Sequence, residues 1–376
     1  MANIQFIDLQ AQRTFIGERM THAINGVLEH GKFIMGPEVK TFETQLAKFG
    51  GAEHAISCGN GTDAILLPMM AWGIGAGDAV FCPSFTFAAT AEMIAITGAT
   101  PVFIDVLPDS FNIDPTHLKN VIQETKDNGK LTPRAIISVD LFGQSAHYKS
   151  LRTVANEFNL KLVSDAAQGF GSTWNGKHSS SFADVVTTSF FPAKPLGCYG
   201  DGGAVLTNDA ELASIMQSLR VHGKGTDKYD NVRIGINSRL DTMQAAILIE
   251  KLAIFDDEIV KRNKVAARYN EALSESVGVP HVPEGVVSTW AQYTILSKNR
   301  DALQKKLSAA NVPSVVYYAK PLHLQTAYKH YPQGGNGLPV TDRLQNEVLS
   351  LPMHPYLDEA TQDYIIKSVL DAVSTT

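Results

Sequence analysis

Lys194 stands at the centre of Ser189-Phe190-Phe191-Pro192-Ala193-Lys194-Pro195-Leu196-Gly197-Cys198-Tyr199-Gly200-Asp201-Gly202-Gly203. The runs Val185-Val186-Thr187-Thr188 and Ala204-Val205-Leu206-Thr207 flank it, so the stretch reads as a loop between two buried strands. Pro192 and Pro195 exclude a helix interior and a central strand. A lysine held in such an apolar, aromatic loop gives up its proton easily and can act as an amine nucleophile, as Schiff-base chemistry requires. A surface lysine that falls in a turn is the other account, and the loop alone does not separate the two.

Three further groups could join it. Asp165 closes the apolar run 160–164 and precedes Ala166-Ala167-Gln168, where a carboxylate is costly unless paired. It either caps the next turn or pairs with a pyridinium nitrogen, which keeps that ring able to accept electrons. Phe87 is either core or a plate stacked on a flat heteroaromatic ring. Gly59-Asn60-Gly61-Thr62 lies between a short strand over 54–57 and an apolar helix over 62–72. Free amides and the positive end of a helix dipole suit a phosphate there, and a plain turn capped by Asn60 or Thr62 suits the same residues.

These groups need a scaffold that gathers them. Strands are expected at 79–82, 101–106, 135–141, 160–164, 185–190 and 204–207, with helices over 88–97, 115–128, 148–158 and 209–222. Apolar strands alternating with helices predict an α/β fold with a mainly parallel sheet covered on both faces. Ligands then bind at the carboxyl ends of the strands, which is where Phe87, Asp165 and Lys194 fall. The cluster Gly73-Ile74-Gly75-Ala76-Gly77 follows a helix and leads into a strand, the reverse of a dinucleotide fingerprint, so that reading is rejected.

The first fifty residues read as a docking segment followed by a helix that puts Phe42, Leu46 and Phe49 on one face. Residues 240–270 lack proline and glycine and predict one long connecting helix. Beyond it, strands near 292–296 and 312–316 and helices near 300–310 and 359–373 make a smaller α+β domain with a glycine loop at 334–337. The expected division is a large domain over 1–250 and a small one over 251–376.

Composition sets the outer limits. The 376 residues are 44% hydrophobic and 19% charged, with a formal net charge of −6. That balance argues against nucleic acid and anionic membrane as partners, since both call for a basic excess. The expectation is a cytoplasmic protein without signal peptide or membrane span. Cys58, Cys82 and Cys198 lack metal-ligand spacing and imply neither zinc nor a disulfide framework.

Five stretches, in order, resemble the sugar aminotransferases of the DegT/DnrJ/EryC1/StrS family, which have the aspartate-aminotransferase (type I) fold of pyridoxal-phosphate enzymes. They are Gly59-Asn60-Gly61-Thr62-Asp63-Ala64, Pro83-Ser84-Phe85-Thr86-Phe87, Asp165-Ala166-Ala167-Gln168, Ser189-Phe190-Phe191-Pro192-Ala193-Lys194 and Gly235-Ile236-Asn237-Ser238-Arg239-Leu240-Asp241. The resemblance implies the cofactor pyridoxal 5'-phosphate (PLP), with Lys194 as its Schiff-base lysine and Asp165 as the partner of its ring nitrogen. It implies Gln168 near the ring hydroxyl and Phe87 on the ring face. Gly61, Thr62, Asp63 and Ser189 would cradle the phosphate. Asn237 would reach the phosphate of a neighbouring subunit, which implies a homodimer with sites at the interface.

The same resemblance implies glutamate as amino donor, 2-oxoglutarate as its product and a UDP- or dTDP-linked keto sugar as acceptor, with ping-pong kinetics. The tail 194–203 is similar to relatives that aminate C3 of a 3-keto sugar nucleotide, especially UDP-2-acetamido-3-oxo-glucuronate, in the synthesis of surface polysaccharide such as O-antigen. Tyr317 stands where those relatives are expected to carry histidine. Arg239, Tyr317, Tyr318 and His323 are the substrate-contact candidates. The rival readings are a C4 or dTDP-3-keto aminotransferase, a dehydratase branch that replaces the lysine with histidine, a non-catalytic PLP-binding regulator, and a dinucleotide oxidoreductase. Lys194 opposes the dehydratase, and the missing fingerprint opposes the oxidoreductase.

Overall fold

The structure is a computed structural model that describes residues 4–227 and 229–374. Its centre is a seven-stranded sheet made from β1 (His54–Cys58), β2 (Asp78–Pro83), β3 (Thr100–Ile104), β4 (Thr132–Val139), β5 (Lys161–Asp165), β7 (Val185–Ser189) and β8 (Gly203–Thr207), while β6 (Thr173–Trp174) lies outside it and pairs with β9 (Val286–Val287). The spatial order is β1-β8-β7-β5-β4-β2-β3, and β8 alone runs against the others. Six strands therefore present their carboxyl ends at one edge, as the alternating pattern predicts.

Both faces of this sheet are covered, which is why its strands read as unbroken apolar runs rather than alternating ones. In β2, Val80 and Cys82 face one layer while Ala79 and Phe81 face the other; in β8, Val205 opposes Ala204 and Leu206 in the same way. One layer is built on α4 (Gly61–Ala71), α5 (Ala89–Ile96) and α8 (Ala210–Leu219). The other is built on α3 (Pro37–Phe49), α6 (Pro115–Asn128), α7 (Tyr148–Glu157) and α9 (Thr242–Leu252). Ahead of them, the docking segment is itself helical, with α1 (Leu9–Ile16) and α2 (Glu18–His30) packed through Ile16 and Met20 on Ile247 and Ile254.

The expected long helix over 240–270 is two helices. α9 ends at Leu252, and α10 (Phe255–Leu273) begins after a turn in which the Ile254 amide bonds back to Lys251. The turn needs no proline or glycine. It points Ile254 at the α1–α2 cluster and Phe255 at the main core, and Asp256, Asp257 and Glu258 favour a helix start at this point. α10 then joins two cores, with Phe255 and Ile259 in the large one and Val265, Ala266, Tyr269 and Leu273 in the small one.

The small core holds β10 (Tyr293–Leu296) against β11 (Val348–Leu351), backed by α11 (Arg300–Ala309) and α13 (Glu359–Ser374). The strand expected over 312–316 is absent. Pro313 has no amide to donate, and that segment makes only a bridge from Val315 to Ser350. β11 takes its place, after a helix, α12 (Pro339–Glu347), that the sequence reading did not predict. Asp105 caps α12 by accepting from the amides of Val340 and Thr341, which ties the small core to the sheet edge.

Candidate active site

The site forms where β1, β5 and β7 end. Asn60 starts α4 by accepting the Asp63 amide on its side-chain oxygen at 2.8 Å, a cap that leaves the amides of Gly61 and Thr62 pointing out of the helix. Gly61 lies so close to the end of β7 that a Cβ there would stand 2.5 Å from Ser189 Cβ and 2.9 Å from Ser189 Oγ. Strand end and helix start thus make one cradle, with the Ser189 hydroxyl beside Gly61 and first-turn amides that make no capping bond among the described residues.

Asp63 is placed differently from the other cradle residues. Its amide is taken by Asn60, and its carboxylate accepts from Ser238 Oγ at 2.7 Å and Asn60 Nδ2 at 3.0 Å. Ser238 also receives the Gly59 amide at 2.9 Å. Asp63 therefore spends its amide and one carboxylate oxygen inside the turn and locks it. Ser238 is a positioning residue that the sequence reading passed over, although it lies inside the stretch Asn237-Ser238-Arg239 that drew notice.

Lys194 is on the loop between β7 and β8, its amide bonded to the Phe191 carbonyl at 2.8 Å. Its amine has no hydrogen-bond or ion-pair partner among the described residues. Burial lowers its proton affinity, and the nearby Asp165 carboxylate partly offsets that. Asp165 ends β5 and is 6% exposed. Its carboxyl accepts from the Ala167 amide at 3.1 Å and stands 3.5 Å from Thr90 Oγ1, and burial raises its proton affinity against both of these and the charge of Lys194. An acid and an amine thus face one site, and burial works against the charge of each.

The remaining candidates divide into two groups. Gln168 is buried, accepts the Phe142 amide at 2.8 Å and donates to the Tyr318 hydroxyl at 3.0 Å. Tyr318 thus arrives from the chain between α11 and α12 with its own hydroxyl proton still to give. Burial and the charge of Asp165 keep that proton on. Phe87 is not core; it is 56% exposed beside this edge, as a stacking plate must be before its ligand binds. Tyr317 packs on Phe6 and Tyr318. Asn237 and Arg239 are paired with each other at 2.7 Å, and the pair is exposed on the protomer.

His323 has both ring nitrogens engaged within the protomer. One ring nitrogen is bonded to Ser84 Oγ at 2.7 Å and the other to Asp342 at 3.0 Å, so neither is free. With the Leu322 amide on the Ser84 carbonyl, it fastens the small-domain chain to the end of β2. The three cysteines are free and buried, and each is held as a thiol by burial.

The parts present fit PLP: a glycine-lined cradle with unpaired amides, an unpartnered amine of lowered proton affinity, a buried carboxylate beyond it and an exposed aromatic plate. The fold and these residues define a type I PLP-dependent enzyme. The chain belongs to the DegT/DnrJ/EryC1/StrS aminotransferase family, whose pattern matches residues 14–370. It is 46% identical over 361 residues to the UDP-2-acetamido-2-deoxy-3-oxo-D-glucuronate aminotransferase of Pseudomonas aeruginosa, covering 95% of this chain and 97% of that one. A DegT DnrJ EryC1 StrS aminotransferase from Brucella abortus has the same structure at a TM-score of 0.97, with 55% identity over 98% of this chain and 99% of that one. NtdA from Bacillus subtilis, solved with the cofactor PMP bound, follows at a TM-score of 0.86 and 28% identity, covering 98% of this chain and 83% of that one.

Proposed function

We propose that this chain moves the amino group of glutamate to C3 of a UDP-linked 3-keto sugar, as a step in surface polysaccharide synthesis. The observation that carries the aminotransferase half is the unpartnered Lys194 amine facing the buried Asp165 carboxylate beside an anion cradle. The sugar half rests on the family and on the named activity of the Pseudomonas relative.

When bound, PLP supplies an aldehyde that takes up amino groups and a ring that draws electrons from the carbon beside them. The amides of Gly61 and Thr62 and the Ser189 hydroxyl would hold the phosphate at the positive end of α4. Asp165 would keep a proton on the ring nitrogen through a charge-assisted bond. Phe87 would cover a ring face, and Gln168 with Tyr318 would border the ring hydroxyl. Lys194 would hold the cofactor through its amine, and the same amine, when free, would be the group that moves a proton in the site. Burial suits it to that task by lowering its proton affinity.

The protein works as a homodimer in this reading. Phe33, Ile34 and Met35 are exposed apolar residues fixed to the site by the bridge from Ile34 to Asp241, and Ile234, 91% exposed, precedes the Asn237–Arg239 pair. A second copy covering them would bring Asn237 to its neighbour's phosphate and Arg239 to the substrate's diphosphate or carboxylate. Tyr317 offers a neutral phenol where a histidine was expected, so Arg239 is the group that would select a uronate. No described helix is long and apolar enough to cross a membrane. Three unpaired buried thiols accord with work in the cytoplasm.

The test is a half-reaction. Glutamate added to PLP-loaded protein should shift the cofactor absorbance and release one equivalent of 2-oxoglutarate per site. Lys194→Ala should bind PLP without the covalent link and release none. Full release from that variant would end the assignment.

A further inference from the structure

Beside Asp165 lies a second acid that has no counter-charge. Asp140 follows β4, whose last residue, Val139, is the register partner of Asp165. The Asp140 amide donates to the Asp165 carbonyl at 2.9 Å. The Asp140 side chain is fully buried and makes no ion pair among the described residues. The turn after β5 seals it in: a Cβ on Gly169 would stand 2.3 Å from Asp140 Cβ.

Its polar surroundings form a ring with a place for one more proton. The Ala146 amide donates to Asp140 Oδ1 at 2.9 Å and accounts for itself. Three oxygen contacts remain: Tyr148 OH to Asp140 Oδ1 at 2.7 Å, Tyr148 OH to Ser164 Oγ at 2.7 Å, and Ser164 Oγ to Asp140 Oδ2 at 3.4 Å. A phenol and a hydroxyl bring one proton each, so with an ionised Asp140 one contact has none. A proton on Asp140 fills all three, running from Asp140 to Tyr148, from Tyr148 to Ser164 and from Ser164 back to Asp140.

We propose that Asp140 is a positioning residue that carries the proton of this two-carboxyl pair, so that the negative charge at the strand ends stays on Asp165. The role rests on the reading of Asp165 as partner of the cofactor's ring nitrogen. The two residues are joined through the backbone, the charge of Asp165 raises the proton affinity of Asp140, and the carboxyl with a cation nearby keeps its charge more readily. Asp165 has Lys194; Asp140 is faced by Tyr148 from α7, Ser164 and Asp165 from β5, and the backbone of Ala146. Burial, with the charge of Asp165 adding to it, pushes the Asp140 carboxyl up to about 7. As pH rises past that point, a second negative charge arrives and raises the proton affinity of Asp165 and of the groups it touches.

Asp140→Asn tests this, because the amide keeps the shape, accepts from Tyr148 and donates to Ser164 without ever ionising. Infrared spectra of the cofactor-free protein should show a protonated carboxyl band at about pH 5 that fades by about pH 9 in the wild type and is missing in Asp140→Asn. The absorbance of PLP-loaded wild type should show an inflection near pH 7 that Asp140→Asn lacks. A wild type without the infrared band, or an absorbance inflection that survives in Asp140→Asn, would overturn the proposal. Failure of both proteins to take up PLP would instead overturn the reading of Asp165, because the infrared band does not depend on cofactor.

Discussion

Gly61→Ala is the substitution whose outcome is most fully worked out by the geometry. Gly61 is the first residue of α4, so alanine there has no backbone strain and adds helix propensity worth at most about 1 kcal/mol. Against that, the new Cβ would stand 2.5 Å from Ser189 Cβ. Carbon atoms rest about 3.5 to 4.0 Å apart, so helix start and strand end must separate by about 1 Å. Such overpacking costs about 1 to 3 kcal/mol, which leaves the cofactor-free protein folded and about 0 to 3 kcal/mol less stable. The larger effect falls on the phosphate. A shift of about 1 Å removes one hydrogen bond to a charged group, about 1.5 to 3 kcal/mol, or a 10- to 150-fold loss in PLP affinity. Cofactor-free protein titrated with PLP and, separately, with pyridoxal distinguishes the causes. Affinity for PLP should fall by that factor while affinity for pyridoxal, which has no phosphate, stays within about twofold. Equal losses for both ligands, or none for either, would refute the cradle.

The other substitutions probe separate parts. Asp165→Asn should bind PLP but lose turnover by at least about 100-fold, since the ring proton is no longer held by a charge. Because burial raises the folded-state proton affinity of Asp165, its stabilising contribution to cofactor-free protein is complete below the unfolded-state value and is lost as pH rises. Cofactor-free Asp165→Asn should therefore melt at or above wild type at about pH 8, and a lower melting point would contradict that sign. Glu43→Ala strands Arg220, which is 4% exposed and donates to Glu43 and to the Ser57 carbonyl; the expected loss is about 3 to 5 kcal/mol by urea unfolding, largely recovered in Glu43→Ala with Arg220→Met. A loss under about 1 kcal/mol would show that this pair does not fasten β1. Ile234→Asp should leave the protomer folded and shift sedimentation from dimer to monomer with loss of activity; an unchanged dimer would remove Ile234 from the interface.

Legibility in the sequence followed the range of the signal. The helix Pro115–Asn128 matched its expected bounds because Asp114, Pro115 and Gly129 mark its two ends locally. The gathering of Gly61, Asp165 and Lys194 at one edge was also readable, since a run of alternating strands and helices fixes which strand ends face together. The break before Phe255 was not, because it depends on two distant clusters that claim Ile254 and Phe255 rather than on a breaker residue. β11 was missed for the same kind of reason: the run 312–316 has the better strand composition, but Pro313 keeps it from completing a ladder with β11 beyond the Val315–Ser350 bridge. The roles of His323 and Asp63 turned on hydrogen bonds to Asp342, Ser84 and Ser238, partners that are distant in the chain or that no pattern marks. Asp140 left no trace at all, since its ring is assembled from β4, β5 and α7.

The account stands or falls on which carbon receives the nitrogen. Protein loaded with pyridoxamine phosphate should be mixed, in a single turnover, with a UDP-linked 3-keto sugar and separately with UDP- and dTDP-linked 4-keto sugars, and the products read by nuclear magnetic resonance. A new amine on C3 of the UDP-linked 3-keto sugar, formed at one equivalent per site and absent with Lys194→Ala, is the predicted result. An amine on C4, or cofactor that keeps its nitrogen in the presence of every 3-keto sugar, would contradict it.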